Sequence, residues 1–446
     1  MAGYLLGLAR LKAALFNVTV IAVYVAQIAT ISSYPMRVTS SLVTAYTGAA
    51  CNVTSYFYLA TRIIRIQYSR QPILKRSHMQ KLVAFFISCC LLFALMTAFK
   101  PRTVVVNADS TNGDTLLYPE EKHFKNIQQL TFGGDNAEAY FSYDGQWLIF
   151  QRTQPKEGIL CDQMFIGKIP KPGEKFEYKM VSTGKGRTTC GFFTRDNKHV
   201  IYASTHLGGD ECPPVPDRSK YGNKYIWPLY PSYDIFMADL NGKIVKQLTN
   251  SPGYDAEATL SPDGTKMIYT SVKDGDIDLY IMDLETGEEK RVTNTLGYDG
   301  GAWFSPDGNK IIWRASRPKT PEEIREYKEL LAQNLVAPTN MEVFVANADG
   351  SDARQVTAFG QANWAPVFMP DSKRIIFASN HEYKRGFPFN MYIINEDGTG
   401  LQKVSRDKGF DAFPMFSPDG KKIVFCSNRN NGGTRDTNIF LADWVE

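Results

Sequence analysis

Two sets of side chains in this chain recur at fixed offsets from a repeated aspartate, and they are where chemistry could be done. The aspartates Asp144, Asp196, Asp263, Asp307, Asp371 and Asp419 each sit in a short turn, most clearly Ser261-Pro262-Asp263-Gly264. Eight residues before them stand Asn136, Thr188, Asp255, Asp299, Asn363 and Asp411, and ten residues after them Gln154, His206, Lys273, Arg317, His381 and Arg429. One set is acidic to amide and the other largely basic. Such charges can pair with each other and pin a loop to its neighbour, or they can form a charged rim that receives a partner. Two residues beyond the first set, Glu138 and Glu257 add carboxylates where the other repeats have Cys190, Gly301, Ala365 and Phe413. Oxygen donors of this kind suit a hard cation, so Asn136, Glu138, Asp255, Glu257, Asp299 and Asn363 are a candidate calcium set, and a bound calcium could polarise a lactone or ester carbonyl. A site built on His206, Asp210, Glu211 and His381 is a weaker alternative, because no tight ligand spacing supports it. The expectation is no metal and no cofactor. No Gly-x-Ser-x-Gly nucleophile elbow occurs, which argues against a serine hydrolase.

The elements that must position these residues are short strands. Proline pre-sets the turn, aspartate bonds locally, and glycine releases the chain into an apolar return strand such as Ile375-Ile376-Phe377. Six turns at a period of about 45 residues predict six four-stranded antiparallel blades, which can bury their faces only against one another, as in a six-bladed β-propeller. The last repeat runs out after its third strand at Asn438 to Ala442, while a spare strand, Ile127-Gln128-Gln129-Leu130-Thr131, precedes the first. Pairing the two closes the ring and removes the open edge. The all-β propeller is therefore placed at 126–446, after a polar linker over 100–125.

Two insertions fall on one face of that ring. Leu207 to Tyr230 carries four prolines among Tyr221, Tyr225, Trp227 and Tyr230, and reads as an ordered lid whose aromatics pack. Glycans are one class of ligand that such aromatics could take. In the fourth repeat Thr320-Pro321-Glu322-Glu323 caps a short helix with Ile324, Tyr327 and Leu331 on one side.

The first hundred residues differ in kind. Residues 1–102 hold eleven Lys and Arg and no Asp or Glu, so the basic excess of the chain lies there and the propeller is mildly acidic, which argues against a nucleic-acid partner. Leu82 to Phe99 is an uncharged apolar run after Met79-Gln80-Lys81, and Ala13 to Ile31 is a second. Either both are membrane helices of an N-terminal module, or Met79 is the true start, 1–78 is an extension ahead of it, and 79–99 is a signal peptide or signal anchor. The second reading is preferred, since a short basic start before an apolar core is what secretion machinery reads. It places the protein outside the cytoplasm, periplasmic or exported, and anchored to the membrane through that segment in the case that it is an uncleaved signal anchor. Cys161, Cys190 and Cys212 fall near one end of the first two blades, so one disulfide among them or buried free thiols are both open.

The copies LTNSPGYDAEATLSPDGTKMIYTS, VTNTLGYDGGAWFSPDGNKIIW and GFDAFPMFSPDGKKIVFCSNR resemble the TolB-type six-bladed propellers of bacterial envelopes over about residues 126–446. That resemblance implies a docking surface in the cell envelope that holds a partner protein at the channel mouth, and with no nucleophile motif, cofactor loop or compact metal motif in the chain the expectation is a monomeric, non-catalytic propeller that binds a protein or peptide. The α/β domain that precedes the propeller in TolB has no counterpart in the short 101–125 stretch.

Overall fold

The computed structural model describes residues 116–446, apart from 223 and 385. The expectations for 1–78, for the apolar run at 79–99 and for the linker up to 115 lie outside the described residues. Among the described residues, no helix is long and apolar enough to cross a membrane.

Six four-stranded antiparallel sheets form the blades. Blade 1 comprises Asp135–Phe141, Trp147–Gln154, Ile159–Lys168 and Tyr178–Met180, and blade 2 comprises Thr188–Phe193, His199–Ser204, Asp234–Asp239 and Ile244–Gln247. Blade 3 is Asp255–Leu260, Lys266–Ser271, Asp278–Asp283 and Glu289–Arg291, and blade 4 is Asp299–Phe304, Lys310–Ala315, Glu342–Asn347 and Arg354–Gln355. Blade 5 runs through Asn363–Phe368, Arg374–Ser379, Asn390–Asn395 and Gln402–Lys403. Blade 6 takes Asp411–Phe416, Lys422–Ser427 and Asn438–Trp444 from the C-terminus, and its fourth strand, Phe124–Gln129, from the N-terminal end. Phe124 pairs with Trp444 and Gln129 with Phe440, so the ring closes as the spare strand predicts. The strand lies a few residues earlier than the Ile127 to Thr131 of the sequence reading.

The turns explain why the chain folds back where it does. In blade 3 the Asp263 carboxylate accepts from Ser261 Oγ at 2.5 Å and from the Thr265 amide at 3.0 Å, while Lys266 N donates to Ser261 Oγ at 2.9 Å. Serine and aspartate thus satisfy the amides that open the second strand.

The packed lead-in starts earlier than 126. Leu116 is buried with Phe124 and Ile127 against blades 5 and 6. Glu121 accepts from Arg429 Nη2 at 2.9 Å and from the amides of Tyr118 at 3.0 Å and Arg406 at 2.8 Å. The polar character of 116–125 misled the sequence reading, because its one buried carboxylate is matched by a partner about three hundred residues away.

The two insertions meet over the same face. Trp227–Pro228 of the blade 2 insertion pairs with Leu335–Val336, which follows the helix α1, Pro321–Leu331, of the blade 4 insertion. Thr320 and Glu323 form the reciprocal capping box that starts α1. Tyr327 and Leu330 are its buried residues; Tyr327 Oη donates to Asp276 of blade 3 at 2.5 Å, and Leu330 packs on Ile226 and Leu335. The helix therefore lies down on the propeller through Leu330 as well as through the expected Tyr327.

Candidate functional site: the insertion-bearing face and its channel

The ring of residues eight before each turn does not face solvent. Asn136, Thr188, Asp299, Asn363 and Asp411 are fully buried and Asp255 nearly so. Their backbones explain why. The amide of Asn136 bonds Thr437 O at 2.9 Å, Asp255 bonds Tyr233 O, Asp299 bonds Ile277 O, Asn363 bonds Met341 O and Asp411 bonds Phe389 O, each in the preceding blade. Thr188 makes the equivalent link through its hydroxyl to Asp162 O at 3.0 Å. These residues staple blade to blade, and their placement at the rim of a channel is corrected to a placement between blades.

The basic ring divides. Arg317 pairs with Asp299 at 2.6 Å and Arg429 with Asp411 at 3.2 Å, as expected for loop pinning. Lys273 turns instead to Glu289 at 2.5 Å, leaving Asp255 to Ser251. His206 contacts Ser204 Oγ at 3.0 Å and packs at a tilt against Phe236, while His381 contacts Ser379 Oγ at 2.9 Å and stacks on Phe359. Burial lowers the pKa of both histidines. They belong to blades 2 and 5, and Asp210 is engaged by Lys185 at 2.9 Å, so these residues do not assemble a metal site. The six-donor calcium set is likewise not brought to one point, because four of its members are spent between blades.

What reaches the axis is the set two residues further on. In every blade the first strand carries one extra residue against its partner, with register breaks at Ala137/Tyr140, Thr189/Phe192, Ala256/Thr259, Gly300/Trp303, Trp364/Val367 and Ala412/Met415. The bulged residues Glu138, Cys190, Glu257, Gly301, Ala365 and Phe413 all have left-handed φ, between 48° and 61°. Only Gly301 adopts it freely; the rest cost roughly 1 kcal/mol or more each. Together with Tyr140, Trp303 and Arg314 they line an axial pocket.

Arg314 organises one side of it. The sequence reading missed this residue, although its signal was present. Counting seven past the turn aspartate gives Gln151, Ala203, Thr270, Arg314, Ala378 and Cys426, and one arginine among small or amide residues is conspicuous. Its guanidinium bonds Glu257 and lies 2.9 Å from Tyr298 Oη; Tyr298, Thr270 and the Gly301 amide donate to the other Glu257 oxygen at 2.7, 2.9 and 3.0 Å. A Cβ on Gly301 would stand 2.2 Å from Arg314 Nη1, so glycine at this position makes room for the arginine. Glu138 stands apart from this cluster. Burial pushes its carboxyl up to about 7.

Above the pocket the lid aromatics pack as expected. Tyr221 donates to Gln333 at 3.0 Å, and Tyr230 donates to Pro214 O at 3.0 Å. Trp227 lies over Arg314 at 5.4 Å and against Trp364 at 5.5 Å, with Tyr225 6.0 Å from Trp364. From Trp364 the contacts run on through Phe389, Phe410 and Phe413, an aromatic arc from lid to channel. A disulfide, Cys161–Cys212, ties the start of the lid to blade 1, leaving Cys190 and Cys426 as free thiols among the described residues.

The TolB beta propeller domain family matches at residues 230–324 and 328–435. A search of curated proteins finds no match. Among solved structures, the chain is similar to a putative TolB from Agrobacterium tumefaciens, at 16% identity, covering 72% of this chain and 97% of that one, with a TM-score of 0.45. It is also similar to TolB from Acinetobacter baumannii, at 18% identity over 71% of this chain and 64% of that one, TM-score 0.43. An oligogalacturonate lyase in complex with manganese aligns at 21% identity over 70% and 72% of the two chains, TM-score 0.37. The chain is a closed six-bladed β-propeller whose residues 230–324 and 328–435 are similar to the TolB beta propeller domain family.

Proposed function

We propose that the propeller is a non-catalytic docking module that takes a protein or peptide segment on its insertion-bearing face. The observation that carries this reading is the distribution of exposed apolar side chains. Of the large exposed ones among the described residues, Phe132, Leu207, Val215, Tyr225 and Phe387 lie in the connections of that face and Leu160 at the strand end that opens on it, whereas Val245 and Leu401 lie elsewhere. Apolar side chains gathered on one side of a folded domain mark an interaction surface more often than scattered ones do. The fixed aromatic arc beside them offers large contact area at low ordering cost.

The Cys161–Cys212 disulfide supports a location in an oxidising compartment, in line with an exported, periplasmic protein. Replacing Asp255, Asp299 and Asp411 by alanine would not test the docking site, because each carboxylate is buried and its loss strands the donors of Ser251, Arg317, Trp313 and Arg429 and so destabilises the ring. The discriminating experiment places a photo-crosslinking amino acid at Phe387 or at Leu401 in cells. A discrete partner crosslinked from 387 and absent from 401 supports the reading. The same adduct from both positions, or from 401 alone, refutes it.

A further inference from the structure

We propose that the axial pocket binds a primary alkylammonium group through the Glu138 carboxylate and the surrounding rings of Tyr140, Trp303 and Phe413. The inference rests on the docking reading for where such a group comes from, a lysine side chain or N-terminal amine of the docked segment, although a free amine would satisfy the same chemistry.

Charge accounting comes first. Arg314 already has its counter-ion in Glu257, and Tyr298, Thr270 and the Gly301 amide complete that carboxylate. Glu138 has no cation of its own. Its neighbours are the Cys190 thiol, the Tyr140 hydroxyl at a long 3.5 Å, and, at greater range, Arg314, Glu257, Asp162 and Cys426. One unmatched carboxylate in a buried channel is stabilised by an incoming cation.

The lining then selects the kind of cation. Tyr140, Trp303 and Phe413 supply aromatic rings to the pocket, and the carboxylate-plus-aromatic combination is the chemistry that holds ammonium groups through their N–H donors and the ring quadrupoles. A hard metal ion would need several converging oxygens, and the donors that could have supplied them are engaged between blades. Size narrows the choice further. The cavity has a volume of about 30 Å³, room for roughly two water-sized groups. That fits the terminal methylene and nitrogen of a lysine and is too small for a guanidinium.

Occupation is linked to protons, since the cation favours ionised Glu138 over the neutral acid that burial promotes near pH 7. Purified protein is titrated with methylammonium chloride at constant ionic strength, read by tryptophan fluorescence and calorimetry. Saturable binding at about pH 8 is expected, with affinity about thirtyfold weaker at about pH 5.5. Glu138→Gln, checked for an unchanged melting temperature at low pH, should abolish it. A tripeptide acetylated at its N-terminus and carrying one free lysine side-chain amine that binds more tightly than methylammonium assigns the site to a docked segment, and equal binding assigns it to a free amine. Equal methylammonium affinity in E138Q and the wild type overturns the proposal, as does displacement by equimolar sodium or calcium. Undiminished binding of tetramethylammonium, too large for the pocket, overturns it as well. None of these failures touches the docking reading, which the crosslink at 387 scores separately.

Discussion

Ring closure depends on one buried carboxylate in the lead-in, and replacing it is the sharpest perturbation that the structure offers. Glu121 and Arg429 have side-chain exposures of 0% and 2%, and the guanidinium bonds both Glu121 oxygens, at 2.9 and 3.1 Å. Arg429 also reaches Asp411 at 3.2 Å and Leu116 O at 3.0 Å, so it is the knot between the lead-in and blade 6. Removing one partner of a buried pair costs about 3–5 kcal/mol because the other charge stays buried. In Glu121→Ala the arginine keeps Asp411, which places the cost at the low end, about 3 kcal/mol. For a domain of this size that lowers Tm by about 4–6 °C. Arg429→Met strands two carboxylates and should cost more. Arg325→Met, which breaks only the exposed pairs with Glu322 and Glu329 on α1, should cost less than about 0.5 kcal/mol. Differential scanning calorimetry of the three full-length variants supplies the order. If Glu121→Ala melts with the wild type, or no lower than Arg325→Met, the lead-in does not hold the ring shut and the reasoning fails.

Three further outcomes are expected. Burial raises Glu138 to about 7 and Asp299 to about 6, against an unfolded carboxyl near about 4, so the folded state binds more protons than the unfolded one between those values. Stability is then greatest at the acid end of about pH 4–7 and falls as pH rises through it, by about 3 kcal/mol for Glu138 alone; urea midpoints across the window should show this slope, reduced in Glu138→Gln. Cys212→Ser opens a loop of 51 residues and should cost up to about 4 kcal/mol, and a reductant should produce the same loss of Tm in the wild type and none in the variant. Gly301→Ala drives a Cβ into Arg314 at a left-handed backbone position and should destabilise by about 2–4 kcal/mol, whereas Ala365→Gly, at the equivalent bulge, should be neutral or stabilising in chemical denaturation.

Much of this was legible from the residues because the repeat is a local code. A Ser-Pro-Asp-Gly turn satisfies its own amides within five residues, so each copy announces a hairpin independently of the rest of the chain, as at Ser261 and Asp263. Closure was legible for a related reason, since a strand left over at one end and a strand missing at the other can be counted. The offsets also located one residue of each blade at its junction with the last. They could not show which way it faced. An aspartate at position 299 reads as a rim charge until the carbonyl of Ile277 and the indole of Trp313 are seen to claim it. Lys273 shows the same limit in reverse, because its partner Glu289 belongs to the outer strand of its own blade and not to the expected ring.

The axial site was half legible, and the missing half follows from how a bulge works. Alternation along a strand assigns faces correctly only until an extra residue is inserted, after which every later side chain changes sides. Because the insertion recurs in all six first strands, the residue that reaches the channel in each blade is the bulged one, and the polar side chains there are Glu138, the thiol Cys190 and Glu257. Those three lie in blades 1 to 3, and Arg314 enters from blade 4, whereas blades 5 and 6 contribute Ala365 and Phe413. A sixfold scaffold has thus become a pocket with one charged side and one apolar side. The blade 2 and blade 4 insertions join over the charged side, where Trp227 lies on Arg314, and the aromatic arc leads outward from the apolar side.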